Sequence, residues 1–178
     1  KKYNVRFNII NKEDIEKMEP SLEPIYYKGI ILKGEIFTKS PLQITQKIFN
    51  NFINNGGCFL LSKIDSIFRN NNSLFLRCNE KEYKFDKIVV TAGVWSNILA
   101  KTIGDNFPLG NERGYHIVFE NQKNLLTRPI GWAKTGFYLT PMEDGIRAAG
   151  TVEIAGLQKP MNHNILTMIE STARSILP

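Results

Sequence analysis

One short stretch, Lys87–Ser96 (KIVVTAGVWS), constrains the fold more than any other part of this 178-residue chain. Lys87-Ile-Val-Val-Thr91 is a dense β-branched run, the pattern of a strand covered on both faces. Ala92-Gly93 breaks it, and a helix is expected to start near Trp95 or Ser96, with Trp95, Ile98, Leu99 and Thr102 sharing a face and Gly104 closing it. A glycine at such a junction lets another group approach the backbone closely. The amides that open the following helix favour an anion such as a phosphate. A plain strand-to-helix turn has the same appearance.

The rest of the chain reads as α+β. Asn11 caps a short helix running to Met18, with acidic residues in its first turn, and Pro20 and Pro24 end it. Ile25–Phe37 reads as extended, with a turn at Gly29 or Gly34. The clearest helix is Pro41–Asn55: Ser40 is a good cap, Ile44, Ile48, Phe49, Phe52 and Ile53 form one apolar face, and Gly56-Gly57 stops it. Strands are expected at Cys58–Leu61, Ile64–Arg69, Leu74–Cys78 and Glu82–Phe85, with a turn at Asn70–Ser73. The second half predicts an antiparallel sheet from Gly114–Glu120, Gly136–Thr140 and Ile146–Ile154. Asp144-Gly145 marks the hairpin between the last two. Asn162–Leu177 reads as a final helix with Leu166, Ile169, Ala173 and Ile176 as its buried stripe. The expected architecture is a mostly antiparallel sheet with flanking helices.

The net charge of +6 raises the question of a nucleic-acid partner. The Lys and Arg residues are scattered, with no basic run interleaved with aromatics, so none is expected. A compositional bias towards Asn, Ile, Lys and Phe accounts for the basicity, and a basic rim around an anionic cofactor is an alternative. Cys58 and Cys78 form no CxxC, and His116 and His163 have no ligand-spaced companions, so no metal site is expected. Reduced cysteines, no apolar run long enough to span a bilayer and no leader-like start give the expectation of a cytoplasmic protein.

Several segments together resemble the D-amino-acid oxidase superfamily of FAD-dependent oxidoreductases, which includes glycine oxidase, sarcosine oxidase and bacterial D-amino-acid dehydrogenase. Ala92-Gly93-Val94-Trp95-Ser96 is similar to that family's A-G-x-W-S segment, and Glu19-Pro20-Ser21-Leu22 to its E-P-x-L. Arg113-Gly114-Tyr115 resembles its R-G-Y strand. Thr140–Gly156 (TPMEDGIRAAGTVEIAG) matches T-P-x-x-D-G-x-R-x-x-G-T-x-E-x-A-G. The resemblance covers nearly the whole chain and implies oxidation of D-amino acids or related amines: a hydride passes from the α-carbon to the flavin, leaving an imine that water hydrolyses. No catalytic residue is implied, because the chemistry is largely the cofactor's own.

The resemblance also implies site residues. Ile64 falls where the backbone meets the adenine, or is an ordinary core isoleucine. Ala92 and Gly93 match backbone that lies against FAD. Trp95 lines the cofactor cleft or sits in the core. Tyr138 falls where some members bond the substrate carboxylate, or is a plain strand tyrosine. Arg113 and Tyr115 are further candidates, whereas Arg147 is expected to face solvent. Residues 1–40 and 105–178 correspond to the substrate-binding part, and 41–104 to part of the FAD-binding domain. The family's GxGxxG, whose amides hold the FAD pyrophosphate, is not found in these 178 residues. The chain is therefore expected to be a single central fragment that binds FAD weakly or not at all by itself and self-associates. A non-catalytic assembly module of a heteromeric flavoenzyme is the alternative. A peripheral membrane contact through the electron acceptor is left open.

Overall fold

The computed structural model describes residues 5–178. Its elements in order are β1 (Phe7–Asn11), α1 (Lys12–Met18), β2 (Lys28–Leu32), α2 (Pro41–Asn54), β3 (Ser66–Asn70), β4 (Ser73–Cys78), β5 (Lys81–Phe85), a 3-10 turn (Gly93–Trp95), α3 (Ser96–Lys101), β6 (Glu112–Glu120), β7 (Ile130–Trp132), β8 (Phe137–Pro141), β9 (Gly145–Ile154) and α4 (His163–Ile176). The described strand pairings are antiparallel, as the α+β reading expects. The chain divides into two compact units.

The first unit comprises residues 1–48, 113–153 and 159–178. Its main sheet has four strands in the order β6-β9-β8-β7. Along β8 the side chains alternate: Phe137, Leu139 and Pro141 are buried, while Tyr138 and Thr140 are not. β9 repeats this, with Ile146 and Ala148 inside and Arg147 and Ala149 outside. On the buried side α4 lays down Ile169, Ala173 and Ile176, and Leu22, Tyr26, Tyr115 and Leu126 complete the core. Three residues of the stripe expected on the last helix are thus fully buried, and Leu166 packs at its margin. The side chain of Asn162 accepts a hydrogen bond from the amide of Asn164, capping α4 as its sequence suggests.

Two features of this unit lie outside the sequence reading. β1 pairs with β2 as a two-stranded ribbon. Glu19, only 2 % exposed, accepts hydrogen bonds from the Thr127 amide (3.0 Å), Arg128 Nε (2.9 Å) and the Thr127 hydroxyl. A carboxylate leaves water without large cost only when its lone pairs are answered in this way. Glu19 therefore fixes the 121–129 loop to the end of α1, whose start carries the capping box between Asn11 and Asp14.

The second unit comprises residues 49–112 and 154–158. β3, β4 and β5 form a meander around Ile67 and Cys78. Asn71 and Asn72 take positive φ in its first turn, as the Asn cluster expects. The Thr102 hydroxyl clamps α3 to β3, accepting from the Ile67 amide and lying 2.9 Å from the Ile67 carbonyl.

The structure departs from the sequence reading at two runs expected to be strands. Cys58–Leu61 and Lys87–Thr91 belong to no strand, and Val89 is 83 % exposed. A β-branched run becomes a strand only when a neighbour accepts its ladder of hydrogen bonds. Neither run meets such a neighbour among the described residues. Helix α2 forms as expected, with Gly56 at φ +86° ending it, yet its apolar residues are exposed along its length.

Candidate functional site

β8 and β9 are in register with Tyr138 opposite Ala149 and Thr140 opposite Arg147. Residues directly opposite share a face, so these four side chains stand together on the side of the sheet away from the core. Gly131 of β7 lies opposite Tyr138. A Cβ there would come within 3.0 Å of the tyrosine ring, so the ring rests on the glycine backbone. Tyr138 is 57 % exposed, and its hydroxyl has no protein partner among the described residues. On β6, Tyr115, Ile117 and Phe119 face the core, which by alternation puts His116 on the open face as well. Burial, and secondly the Arg147 guanidinium, hold the His116 pKa below its ordinary value. Arg147 lies on the outer face, as expected from sequence, but is only half-exposed, and its Nε is enclosed without a hydrogen-bond partner among the described residues.

Beyond Gly150 the alternation changes phase: Thr151 and Glu153 become the more buried residues, and Val152 stands exposed. Gly150 makes the change with φ +157°, and a Cβ there would meet the Gly136 carbonyl oxygen at 2.7 Å. The shift turns Glu153 inward to a polar cluster. It accepts hydrogen bonds from Tyr115 Oη (2.8 Å) and Lys159 Nζ (2.6 Å), with Arg113 Nη1 at 3.8 Å. Tyr115 Oη in turn accepts from the Asn162 amide, and Arg113 donates to the Pro160 carbonyl. Arg113 and Tyr115 thus anchor the loop that leads into α4.

The hydrogen bond from Lys159, then that from Tyr115, hold the Glu153 carboxyl below the usual carboxylate range. A depressed carboxylate pKa contributes stability that is present above the unfolded-state value, about 4.3, and lost as pH falls through the folded value. The melting temperature of the parent protein is therefore expected to exceed that of Glu153→Gln at pH 6–7, with the gap closing below about pH 4. A gap that is constant down to pH 3 would show that the carboxylate charge contributes nothing.

The residues expected beside a flavin lie in the second unit. Ile64 is half-buried just before β3, and Ala92 is half-buried at the start of the 3-10 turn. Gly93 takes φ +55° with nothing within 4 Å of an added Cβ, and Trp95 is 59 % exposed. Gly93 and the backbone of residues 87–91, unpaired among the described residues, are open to close approach, which suits a flat cofactor held through backbone contacts. Tyr138 belongs to the first unit. A cleft of about 290 Å³ lined by Phe119, Leu139, Ile146 and Arg174 opens in that unit away from Tyr138. Among the described residues no three His, Cys, Asp or Glu side chains converge as metal ligands, and no helix is long and apolar enough to cross a membrane.

Sequence reasoning did not single out Gly131 or Glu153, and it named Arg147 only as a solvent-facing residue. Both Arg147 and Glu153 stand inside the matched Thr140–Gly156 pattern; the inward turn of Glu153 depends on the phase change at Gly150, which no periodicity argument contains. Gly131 shows only as an isolated glycine in a short apolar run.

Comparison with known proteins gives a consistent picture. The sequence pattern of the family described as FAD dependent oxidoreductase (DAO) matches residues 1–178. A D-amino-acid oxidase of Bradyrhizobium diazoefficiens is 29 % identical over 179 residues, covering 100 % of this chain and 42 % of that protein. A glycine oxidase of Pseudomonas putida is 31 % identical over 94 residues, covering 52 % of this chain and 25 % of that protein. Among solved structures, glycine oxidase from Geobacillus kaustophilus superposes with a TM-score of 0.84 at 15 % identity, over 99 % of this chain and 48 % of that one. The L-α-glycerophosphate oxidase from Mycoplasma pneumoniae, solved with FAD bound, does so with a TM-score of 0.76 at 20 % identity, over 97 % of this chain and 48 % of that one. The chain thus spans at most about half the length of these relatives, and it belongs to the DAO family of FAD-dependent oxidoreductases.

Proposed function

We propose that the chain is the substrate-binding portion, with adjoining flavin-domain segments, of an enzyme that oxidises D-amino acids or related amines. The observation that carries this reading is the open sheet face bearing Tyr138, Thr140 and Arg147 in a chain of an FAD-dependent family. Its similarity to a D-amino-acid oxidase and to glycine oxidases favours an amino-acid substrate. Residues 1–40 and 105–178 are assigned to substrate binding and 41–104 to the flavin domain, a division that the two compact units support in outline. A cytoplasmic location, where cysteines stay reduced, belongs to the same reading.

Bound FAD supplies the hydride acceptor. The chain's own part is to hold and orient the substrate. The Tyr138 hydroxyl donates to the substrate carboxylate while the ring keeps its place over Gly131. Ala92, Gly93 and the backbone of residues 87–91 would hold the cofactor through backbone contacts, with Ile64 meeting its adenine and Trp95 lining the cleft. In the flavin-loaded full-length protein, D-amino acids or N-methyl amino acids are expected to bleach the flavin absorbance without oxygen. No bleaching across both classes would overturn the reading and favour the non-catalytic assembly module.

The 178-residue chain by itself is expected to self-associate, because the apolar side chains of α2 and of residues 87–91 are exposed. It is also expected to bind FAD only weakly, since no GxGxxG supplies amides to the pyrophosphate. A clean monomer by light scattering at high concentration, or sub-micromolar FAD affinity by titration, would contradict these expectations.

A further inference from the structure

We propose that the cleft between the 38–47 segment, the 123–124 loop and the tip of the β8–β9 hairpin binds a doubly charged phosphate monoester group through Lys39, Lys47 and Lys123. The inference goes beyond the oxidation reading and does not depend on what the open face of β8 and β9 holds.

The cleft has a volume of about 510 Å³ and lies wholly within the first unit. Three stretches far apart in sequence build it, and hydrogen bonds fix them to one another. The Glu143 amide donates to the Lys39 carbonyl at 3.0 Å, and the Asn121 amide to the Asp144 carbonyl at 3.1 Å. The Gln43 side-chain amide donates to the Glu143 carboxylate at 2.6 Å. The loop that carries Lys123 is held further along by the buried Glu19, through Thr127 and Arg128. The three lysines therefore gather around the hairpin tip because the backbone that carries them is tied there.

Charge is out of balance in this cleft. Three lysines line it with a single carboxylate, Glu143, which leaves an excess of two positive charges. None of the three forms an ion pair among the described residues, and Glu143 is engaged by Gln43. Like charges gathered on a fixed frame repel one another, and an anion with two charges relieves the repulsion. A phosphate monoester carries about −1.5 to −2 charge at neutral pH. An ammonium is a compact point charge with three donors and lacks the planar fork that an arginine offers to a carboxylate. It suits the rounded array of phosphate oxygens. The hydroxyls of Thr38 and Ser40 also line the cleft. They accept from the amides of Ser40 and Gln43 respectively, so each keeps its own hydrogen to donate. Ile44 and Met142 add apolar surface for the organic part of the ester.

The test uses calorimetry on the flavin-loaded full-length protein, with phenyl phosphate as the probe and phenyl sulfate as its singly charged counterpart. At about pH 7.5 the phosphate is expected to bind about tenfold more tightly than the sulfate, and to lose that advantage below about pH 6 as its second proton returns. Lys39→Gln, Lys47→Gln and Lys123→Gln are each expected to weaken phosphate binding about three- to tenfold, and the triple variant about a hundredfold. All three lysines are exposed, so their substitution leaves packing alone. Glu143→Gln is expected to tighten binding about threefold, a gain that a folding defect cannot imitate. Phosphatidylcholine vesicles containing phosphatidic acid distinguish the source of the group. Sedimentation of the parent with them, lost in the triple variant, would support the site and name a lipid headgroup. Phenyl phosphate binding without sedimentation would support the site and name a free monoester. Equal phenyl phosphate affinity in the parent and the triple variant, no gain in Glu143→Gln, or sulfate binding as tightly as phosphate would overturn the proposal. So would loss of FAD from the triple variant, which would assign the lysines to the cofactor's own phosphates.

Discussion

Gly145→Ala is expected to destabilise the first unit by about 4 kcal/mol or more, enough to abolish cooperative folding at 37 °C in a marginally stable domain. Gly145 begins β9 with φ +156°, a conformation that L side chains rarely adopt. The tip of the β8–β9 hairpin is pressed onto the end of β6. A Cβ at 145 would lie 2.1 Å from the carbonyl oxygen of Phe119 and 2.9 Å from its carbonyl carbon. Both obstacles are backbone, so no side-chain rotation relieves the clash. The Asn121 amide bonds to the Asp144 carbonyl at 3.1 Å and the Met142 amide to the Gly145 carbonyl at 2.7 Å, which fixes the tip in place. Relief requires the tip to lift from β6, at the cost of these bonds and of the packing of Ile146. Chemical denaturation of the parent and variant checks the value. A loss below about 1 kcal/mol would mean that the tip moves freely, contrary to the contacts described.

Tyr138→Phe is expected to lower kcat/KM of the full-length enzyme for its amino-acid substrate by about ten- to a hundred-fold. The substitution removes one hydroxyl and keeps the ring that rests on Gly131, so the strand and its register are retained. A hydrogen bond to a charged group is worth about 1.5–3 kcal/mol, which sets the range. Most of the loss is expected in KM if the contact is equally strong in the bound substrate and the transition state. Because Tyr138 is 57 % exposed and its hydroxyl bonds to nothing else among the described residues, stability is expected to stay within about 0.5 kcal/mol. Steady-state kinetics over a panel of D-amino acids and N-methyl amino acids decides. Unchanged kcat/KM across the panel, or a loss matched by a fall in melting temperature, would remove Tyr138 from the site.

How much was legible in the sequence depended on how local its cause was. Asn11, Ser40 and Asn162 announced helix starts because a cap acts within three residues. The Asp144-Gly145 hairpin and the Asn71-Asn72 turn were readable for the same reason. Lys87–Thr91 was not, because strand-forming residues state a capacity whose fulfilment depends on a neighbouring strand. The apolar face of α2 likewise reports that cover is wanted without supplying it. Tyr138 could be singled out through resemblance, and alternation placed it on one face with Thr140. That Arg147 and His116 share that face followed only from strand register and from β6 lying beside β9. The grip of Glu19 on Thr127 and Arg128 spans 108 or more positions and leaves no trace in any local pattern.

The first unit is assembled from three separate stretches, 1–48, 113–153 and 159–178, whereas nearly all of the second is the continuous run 49–112. This order sets a timetable for folding. The β3–β4–β5 meander closes short loops and has all its strands as soon as residue 85 is made. Leu22 and Tyr26, by contrast, reach their core partners only when Ile169, Ala173 and Ile176 exist, at the far end of this sequence. During synthesis those early residues wait, uncovered, for more than half of the chain. Closing so long a loop adds little to the equilibrium cost, since the entropy grows only with the logarithm of length, but it delays the core. The interval before α4 arrives is therefore when the nascent chain is most open to chaperones and proteases.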